Sequence, residues 1–303
     1  MIRLLLASAA LCLPLAACAT AAPDAPAASA SARAVFSSDR ISVETVGQGP
    51  DVVLIPGLSS SPDVWRTTVE AVPGYRYHLV HVAGFADKAA AANGSGPVVE
   101  PVSDEIARYI RETKLKAPAI VGHSLGGSWA MMVAARNPGL ASRVMVVDMM
   151  PFLGAMFGGP TATPETLKPM AEQFRAGIAG SAGEARRKQV EQTIAGMVRT
   201  ESLRPALVEH SLASDPGASG QAMHDLILAD LRPDVAKIRV PLTVLYVTPA
   251  GAPVTDAQME QFYRLSYAGA PHAVLKRIPA AYHFIMFDEP ETFRAELKAF
   301  LAR

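Results

Sequence analysis

Residues 117–136 read APAIVGHSLGGSWAMMVAAR, and this stretch decides the fold of the chain. Its first five residues are a short apolar run typical of a buried strand, and residues 128–136 are typical of a helix that ends at Asn-Pro-Gly. Between them, Ser124 stands at the centre of G-x-S-x-G. A strand, a tight glycine-rich turn and a helix form a nucleophile elbow, whose strained backbone lifts the serine hydroxyl clear of the sheet. The sequence therefore predicts that Ser124 is a nucleophile; the alternative is a glycine-rich helix start with an exposed serine.

The composition is that of a globular protein. The chain has 303 residues, of which 50% are apolar and 18% are charged, a length that suits one large α/β domain with an insertion. Lys plus Arg and Asp plus Glu balance at 28 each, and the sequence has no basic stripe, so we expect no nucleic-acid partner. It has no H-E-x-x-H, P-loop or dinucleotide fingerprint, so we expect no metal and no cofactor. The oligomeric state is left open.

The first residues are typical of a targeting segment. Residues 1–17 combine a positive start with an apolar run too short to span a bilayer, which predicts a signal peptide. Leu-Ala-Ala-Cys at 15–18 resembles the lipobox of bacterial lipoproteins, which implies cleavage before Cys18 and acylation of that residue. We therefore expect an exported protein, anchored by lipid to the periplasmic face of the cell envelope and touching the membrane only there. The alternative is an ordinary secretory signal and a soluble periplasmic or secreted protein.

Beyond the signal peptide the chain alternates strands and helices. Residues 18–34 hold Cys18 and a flexible Ala/Pro/Ser linker. Apolar runs with little alternation predict a mostly parallel sheet with helices on both faces. The predicted strands are 41–46, 51–55, 78–82, 119–121, 144–147, 242–247 and 273–278, and the predicted core helices are 62–72, 99–113, 124–136 and 290–301.

The alternation stops at residue 151. Residues 151–235 contain only helical patterns (164–174, 183–198, 202–212 and 221–231), so we expect a helical cap inserted into a core made of residues 35–150 and 236–303. The alternative is a few extra core helices that cover no site. The methionines and aromatics of 149–157 are typical either of a pocket for an apolar group or of packing between cap and core, and packing is favoured.

Three short motifs, in order and spacing, resemble those of the α/β-hydrolases over about residues 41–302. They are Pro-Gly-Leu at 56–58, Gly-His-Ser-Leu-Gly at 122–126 and Tyr-His-Phe at 282–284. The resemblance implies an α/β-hydrolase fold with a nucleophile, an acid and a base in the chain order Ser, Asp/Glu, His. A serine nucleophile argues against the relatives that use Asp in this role.

His283 is the predicted base, because it follows the last predicted strand after a short loop, where the family places its histidine. An imidazole near neutral pH accepts the proton that a serine must lose to become nucleophilic. His123 is adjacent to Ser124, but neighbouring residues of an elbow point in different directions, so it is interpreted as a packing residue.

The oxyanion hole is predicted from backbone amides. The N–H of Leu125, directly after the nucleophile, is one donor, and the N–H of Leu58 is the expected second. Gly57 allows its loop a close approach.

The acid departs from the family pattern. The usual position follows the strand 242–247, where Thr-Pro-Ala-Gly-Ala offers no carboxylate. Asp148, at the end of the strand before the insertion, is the favoured acid. Asp256 is the alternative, although an acidic residue at the start of a helix has a sufficient structural reason to be there.

Together these residues predict a metal-free serine hydrolase that cleaves a small-molecule carboxylic ester, or a related acyl bond, through an acyl-enzyme. The missing acid motivates a second hypothesis. In that case the chain is an envelope-tethered binding protein of the same fold with weak turnover or none.

Overall fold

The computed structural model describes residues 36–249 and 251–302. The predicted signal peptide, Cys18 and the linker lie outside the described residues. No helix in the described ranges is both long enough and apolar enough to cross a membrane.

Seven strands form one sheet in the order β1-β3-β2-β4-β5-β6-β7. Their bounds are β1 (Ile41–Gly47), β2 (Asp51–Ile55), β3 (Arg76–Val82), β4 (Ala119–His123), β5 (Arg143–Val147), β6 (Leu242–Tyr246) and β7 (Val274–Arg277). In the described part of the chain, β1 pairs with β3 antiparallel and the other pairings are parallel. The predicted mostly parallel sheet is confirmed, with every strand end within two residues of its expected place.

Helices cover both faces of the sheet and fill the insertion. In the described ranges they are α1 (Arg66–Ala71), α2 (Val99–Glu112), α3 (Leu125–Arg136), α4 (Ala155–Gly158), α5 (Pro164–Ala179), α6 (Gly183–Met197), α7 (Arg204–Ala213), α8 (Pro216–Leu228), α9 (Arg232–Val235), α10 (Asp256–Ser266), α11 (Ile285–Asp288) and α12 (Pro290–Leu301). The predicted helix 62–72 is a 3₁₀ turn, Pro62–Trp65, followed by α1.

The apolar runs of the strands are explained by burial on both faces. Successive side chains of a strand point to opposite sides, so Val53 and Ile55 belong to one core cluster and Val52 and Leu54 to the other. The same division holds along β4 and β5. A sheet covered on both sides requires apolar residues at every position, which is why the sequence shows no alternation.

Helix α8 begins five residues earlier than the pattern predicted. Asp215 caps it by accepting a hydrogen bond from the Ala218 N–H at 2.7 Å, and Pro216 occupies the first turn. Gly220, a helix breaker in sequence terms, brings α8 close to α5, since a Cβ there would lie 2.8 Å from the Arg175 carbonyl oxygen.

The inserted helices are tied to the core by hydrogen bonds. The Asp225 carboxylate on α8 accepts from the N–H groups of Val98 (2.7 Å) and Val99 (3.3 Å) at the start of α2. The Asp215 N–H donates to the Gly84 carbonyl at 2.9 Å. These bonds hold α8 at the carboxyl ends of the parallel strands.

Glycines allow the turn between β4 and α3 to close. A Cβ on Gly126 would overlap the Ile55 carbonyl oxygen and lie 2.6 Å from that of Pro56, and a Cβ on Gly122 would overlap the Gly126 carbonyl. Both contacts involve backbone that the pairing of β2 with β4 holds in place. The tight turn therefore requires glycine at these two positions.

We expect Gly126→Ala to lower the free energy of unfolding by about 1–3 kcal/mol or more, because the added methyl group meets fixed carbonyls. Urea denaturation measures the change. Gly177→Ala is the control: it lies in α5 with no atom within 4 Å of its Cβ, so it should raise stability by about 0.5–1 kcal/mol. Equal effects of the two substitutions would contradict this account of the turn.

Candidate active site

Ser124 occupies the turn from β4 into α3 with φ 53° and ψ −126°, a conformation that non-glycine residues rarely adopt. Its N–H donates to the Val147 carbonyl at 2.9 Å, which fixes the turn to the end of β5. The residue is half-buried and lines a cavity. The backbone therefore presents the hydroxyl to the cavity, as the nucleophile-elbow motif predicts.

His283 and Asp148 are hydrogen-bonded to each other at the carboxyl ends of the strands, where Ser124 also lies. The His283 Nδ1 lies 2.7 Å from Asp148 Oδ2. The other carboxylate oxygen accepts from the Val247 N–H at 3.1 Å and from the Tyr263 hydroxyl at 3.2 Å. An ionised carboxylate only accepts hydrogen bonds, so Nδ1 carries the ring proton and Nε2 is left as the base.

The Tyr263 hydroxyl helps to hold the Asp148 carboxylate in place by donating a hydrogen bond to it. Its ring is buried and stacks on Tyr246, with ring centres 4.1 Å apart. Burial, and next the charge of Asp148, raises the pKa of the Tyr263 hydroxyl well above its usual range. The hydroxyl therefore stays protonated and remains a donor to the carboxylate.

Ser124 and His283 line the same cavity. Within residues 36–249 and 251–302 no hydrogen bond joins the Ser124 hydroxyl to the His283 ring. Such bonds are often long in unliganded hydrolases and tighten only when substrate is bound.

The predicted oxyanion donors flank the nucleophile. Leu125 follows Ser124 directly, and Gly57 lies so close to it that a Cβ there would be 3.0 Å from the Ser124 Cβ. Neither the Leu58 nor the Leu125 amide has an acceptor in the described part of the chain. Two unused donors beside a nucleophile are the arrangement that an oxyanion requires.

His123 contacts the loop that carries His283. Its ring is fully buried, and its Nε2 donates to the His283 carbonyl at 3.0 Å. Burial, and next the proximity of His283, lowers the pKa of the His123 ring well below its usual range, so the ring is neutral. His123 therefore holds the loop rather than exchanging protons with substrate.

The structure brings only one of the two candidate acids to His283. Asp256 begins α10, where its carboxylate accepts from Thr248 Oγ1 at 2.6 Å and pairs with Arg277 at 2.9 Å. The remaining histidines do not line the cavity: they are His78, His81, His210, His224 and His272. Among the described residues no three His, Cys, Asp or Glu side chains form a group able to hold a metal.

Asp288 is a site residue that the sequence analysis missed. It is buried, and its carboxylate accepts from the N–H groups of Tyr282 (2.9 Å), Arg199 (3.0 Å) and Thr200 (2.9 Å), and from the Thr200 hydroxyl. One carboxylate thus joins the His283 loop to the segment between α6 and α7. In the sequence Asp288 stands two residues before the predicted helix 290–301, and no motif distinguishes it.

The cavity above Ser124 has a volume of about 480 Å³ and a mostly apolar wall. Six methionines line it: Met149, Met150, Met156, Met197, Met223 and Met259. Met149 and Met150 also belong to the core, so the packing interpretation holds for them, while Met156 and Phe157 are partly exposed beside the cavity. The volume is typical of a small-molecule site.

Comparison with known proteins places this arrangement in a family. Residues 52–296 match the family model described as "Alpha/beta hydrolase family". The chain belongs to the α/β hydrolase family.

This α/β hydrolase is similar to curated esterases over most of its length. It is 25% identical over 270 residues to a pimeloyl-[acyl-carrier protein] methyl ester esterase of Vibrio vulnificus, a match that covers 86% of this chain and 97% of the relative. It is 26% identical over 263 residues to the enzyme of that name from Nitrosospira multiformis, covering 85% and 97%. The curated relatives favour the predicted ester hydrolase over the binding-protein alternative.

Solved structures confirm the α/β-hydrolase fold. An esterase from Exiguobacterium antarcticum aligns with a TM-score of 0.71 at 19% identity, covering 87% of this chain and 96% of the other. An enol-lactonase from Burkholderia xenovorans aligns with a TM-score of 0.70 at 18% identity and the same coverage.

We expect Asp288→Asn to lower kcat for a p-nitrophenyl ester by about 10- to 100-fold, because an amide NH₂ would face backbone donors and displace the His283 loop. Asp225→Asn is the matched control, since Asp225 also accepts backbone N–H groups but does not contact that loop. Both variants should lose about 1–3 kcal/mol of stability in urea. If kcat falls equally in both, the effect of Asp288 is on stability alone.

Proposed function

We propose that this protein is a serine hydrolase that cleaves carboxylic esters through an acyl-enzyme. One observation carries the proposal: the 2.7 Å contact between His283 Nδ1 and Asp148 Oδ2, in the same cavity as the Ser124 elbow. It supplies a base, oriented by a carboxylate, next to a strained serine.

The chemistry follows from these positions. The His283 Nε2 accepts the Ser124 proton as the hydroxyl oxygen attacks the ester carbonyl, and Asp148 stabilises the resulting imidazolium. The Leu58 and Leu125 amides donate to the oxyanion, each contributing about 2.7–4 kcal/mol to transition-state stabilisation. His283 then protonates the leaving alcohol and activates the water that releases the acyl group.

The cavity wall supports an ester with an apolar chain. Thioether side chains are flexible and polarisable, so a methionine-lined wall accommodates alkyl groups of different shapes. The curated relatives act on a methyl ester of a pimeloyl group, as their names state. Amides and carbon–carbon bonds would use the same residues, but esters are the class supported by these relatives.

The position of Asp148 also removes the reason for the binding-protein hypothesis. That hypothesis depended on the missing acid after β6. The contact of Asp148, at the end of the neighbouring strand β5, with His283 supports the hydrolase against that hypothesis.

We also propose that the protein is exported and held at the periplasmic face of the envelope by lipid on Cys18. The support is the apolar segment 4–15 and the Leu-Ala-Ala-Cys sequence at 15–18. Acyl chains on one cysteine would anchor the protein firmly, because each buried CH₂ contributes about 0.8 kcal/mol. A soluble exported protein is the alternative.

We expect Ser124→Ala and His283→Ala to abolish measurable hydrolysis of p-nitrophenyl butyrate, and Asp148→Asn to lower kcat by roughly 10⁴-fold, because the imidazole loses its orienting partner. Labelling by a fluorophosphonate should be lost in Ser124→Ala and His283→Ala and reduced in Asp148→Asn. Asp256→Asn is the control and should match the wild type, since its carboxylate is paired with Arg277.

A collapse of activity in Asp256→Asn with normal activity in Asp148→Asn would reverse the assignment of the acid. A folded wild type that neither reacts with the probe nor hydrolyses any ester of a broad panel would overturn the enzyme and restore the binding protein.

We expect the full chain, produced in a bacterial host, to incorporate labelled palmitate and to sediment with membranes. Cys18→Ala should lose the label and appear in the soluble fraction. Cys12→Ala is the control, because Cys12 lies inside the predicted signal peptide. An unlabelled, soluble wild type would identify an ordinary secretory signal instead.

A further inference from the structure

One face of helix α6 forms a wall of the cavity. The residues that line it recur every three or four positions, as one face of an α-helix requires: Arg186, Gln189, Val190, Thr193, Ile194 and Met197. The Met197 carbonyl accepts from the Phe284 N–H at 3.2 Å, so this end of α6 lies beside the His283 loop. The Arg186 end of this face therefore lies away from the His283 loop and meets the end of α7, where the Ser214 hydroxyl donates to the Ser59 carbonyl at 3.4 Å.

The lining changes in character along α6. Met197, Ile194 and Val190 are apolar, whereas Thr193, Gln189 and Arg186 are polar. The eleven steps from Met197 to Arg186 advance about 16 Å along the helix axis. A chain lying along α6 from Met197 would thus pass Met197 and Ile194 first, Thr193 and Val190 next, and the polar Gln189 and Arg186 last.

Arg186 is the one Lys or Arg in the described part of the chain that lines this cavity. The single Asp or Glu in the same described lining, Asp148, is already bonded to His283. Arg186 is therefore the cationic side chain of a mostly apolar wall whose carboxylate already has a partner.

The guanidinium of Arg186 is held in place but is not neutralised. Its Nη2 donates to the carbonyls of Ser211 (3.0 Å) and Ser214 (2.7 Å) at the end of α7. Among the described residues its other N–H groups have no acceptor and it has no carboxylate partner, whereas the adjacent Arg187 pairs with Glu209 at 3.1 Å. A half-buried guanidinium fixed on one edge is suited to bind a carboxylate with the other.

We propose that Arg186 determines substrate choice by binding a carboxylate at the far end of the chain that lies along α6. The inference rests on the proposed ester hydrolase and names its substrate class: esters whose chain ends in an anionic carboxylate. The ester carbonyl lies at Ser124, the methylene groups lie along the apolar part of α6, and the carboxylate meets Arg186 where the neighbouring Gln189 is exposed to solvent.

The test compares charged and neutral esters of equal length. Mono-p-nitrophenyl esters of linear dicarboxylic acids carry the carboxylate on the acyl side, and their far-end methyl esters are the neutral partners. Release of p-nitrophenol reports cleavage of the activated ester only. Acetate esters of ω-hydroxy acids, with their methyl-capped partners, place the charge on the alcohol side.

We expect one of the two series to show, at one chain length, about a tenfold higher kcat/KM for the charged ester, mainly through KM, as one charge-assisted hydrogen bond would produce. The preference should decline as salt is added, because the guanidinium is only half-buried. Arg186→Gln should bring the charged-to-neutral ratio close to one, and Arg186→Lys should keep part of it. Arg187→Gln is the matched control and should keep the wild-type ratio.

A wild-type ratio near one at every length in both series would overturn the inference. So would a ratio that Arg186→Gln leaves unchanged. Because Arg186 also binds the last carbonyls of α7, melting temperatures are measured for each variant, and Arg186→Lys provides a folded variant if Arg186→Gln is unstable. Hydrolysis of the neutral esters that requires Ser124 establishes the proposed function in either case, so the two failures are distinct.

Discussion

The parallel pairing of β4 with β5 is the constraint on which the site depends. His123 is opposite Val147 in this pairing, so the next residues of the two strands, Ser124 and Asp148, leave the sheet side by side. Both have positive φ, 53° and 52°, and both donate their N–H to the carbonyl of a neighbouring strand. The sheet itself thus fixes the positions of Ser124 and Asp148, and it holds both residues in conformations that an isolated chain would rarely adopt.

His283 is placed differently, because it lies on a loop that follows the last strand, β7. Besides the bond of His283 to Asp148, the described residues hold that loop by the His123 ring on the His283 carbonyl, the Tyr282 N–H on the Asp288 carboxylate, and the Phe284 N–H on the end of α6. The last of these contacts links the loop directly to an inserted helix, and Asp288 also binds the segment between α6 and α7. The insertion is therefore a wall of the cavity and also part of what orients the base, so a displacement of α6 would reach His283 directly.

The cavity combines a mostly apolar wall with a few polar and charged side chains. Six methionines among the described lining residues make its wall adaptable to apolar chains of different shape. In the same described lining, Asp148 is the one Asp or Glu and Arg186 the one Lys or Arg. Selectivity for one substrate over another must then come mainly from the polar groups, since extra methylene groups change affinity only modestly.

The sequence by itself determined the alternation of strands and helices, the elbow at Ser124 and the position of His283 in the chain. These are local features: burial on both faces, glycine spacing and turn residues appear directly in the order of amino acids. Only the tertiary structure shows that Asp148, and not Asp256, contacts His283, and only it brings Asp288 to the His283 loop and Arg186 to the cavity. A carboxylate or guanidinium has the same local sequence signal whether it caps a helix or faces a cavity. The distinction depends on contacts between residues far apart in the chain, and the pairing of strands and packing of helices create those contacts.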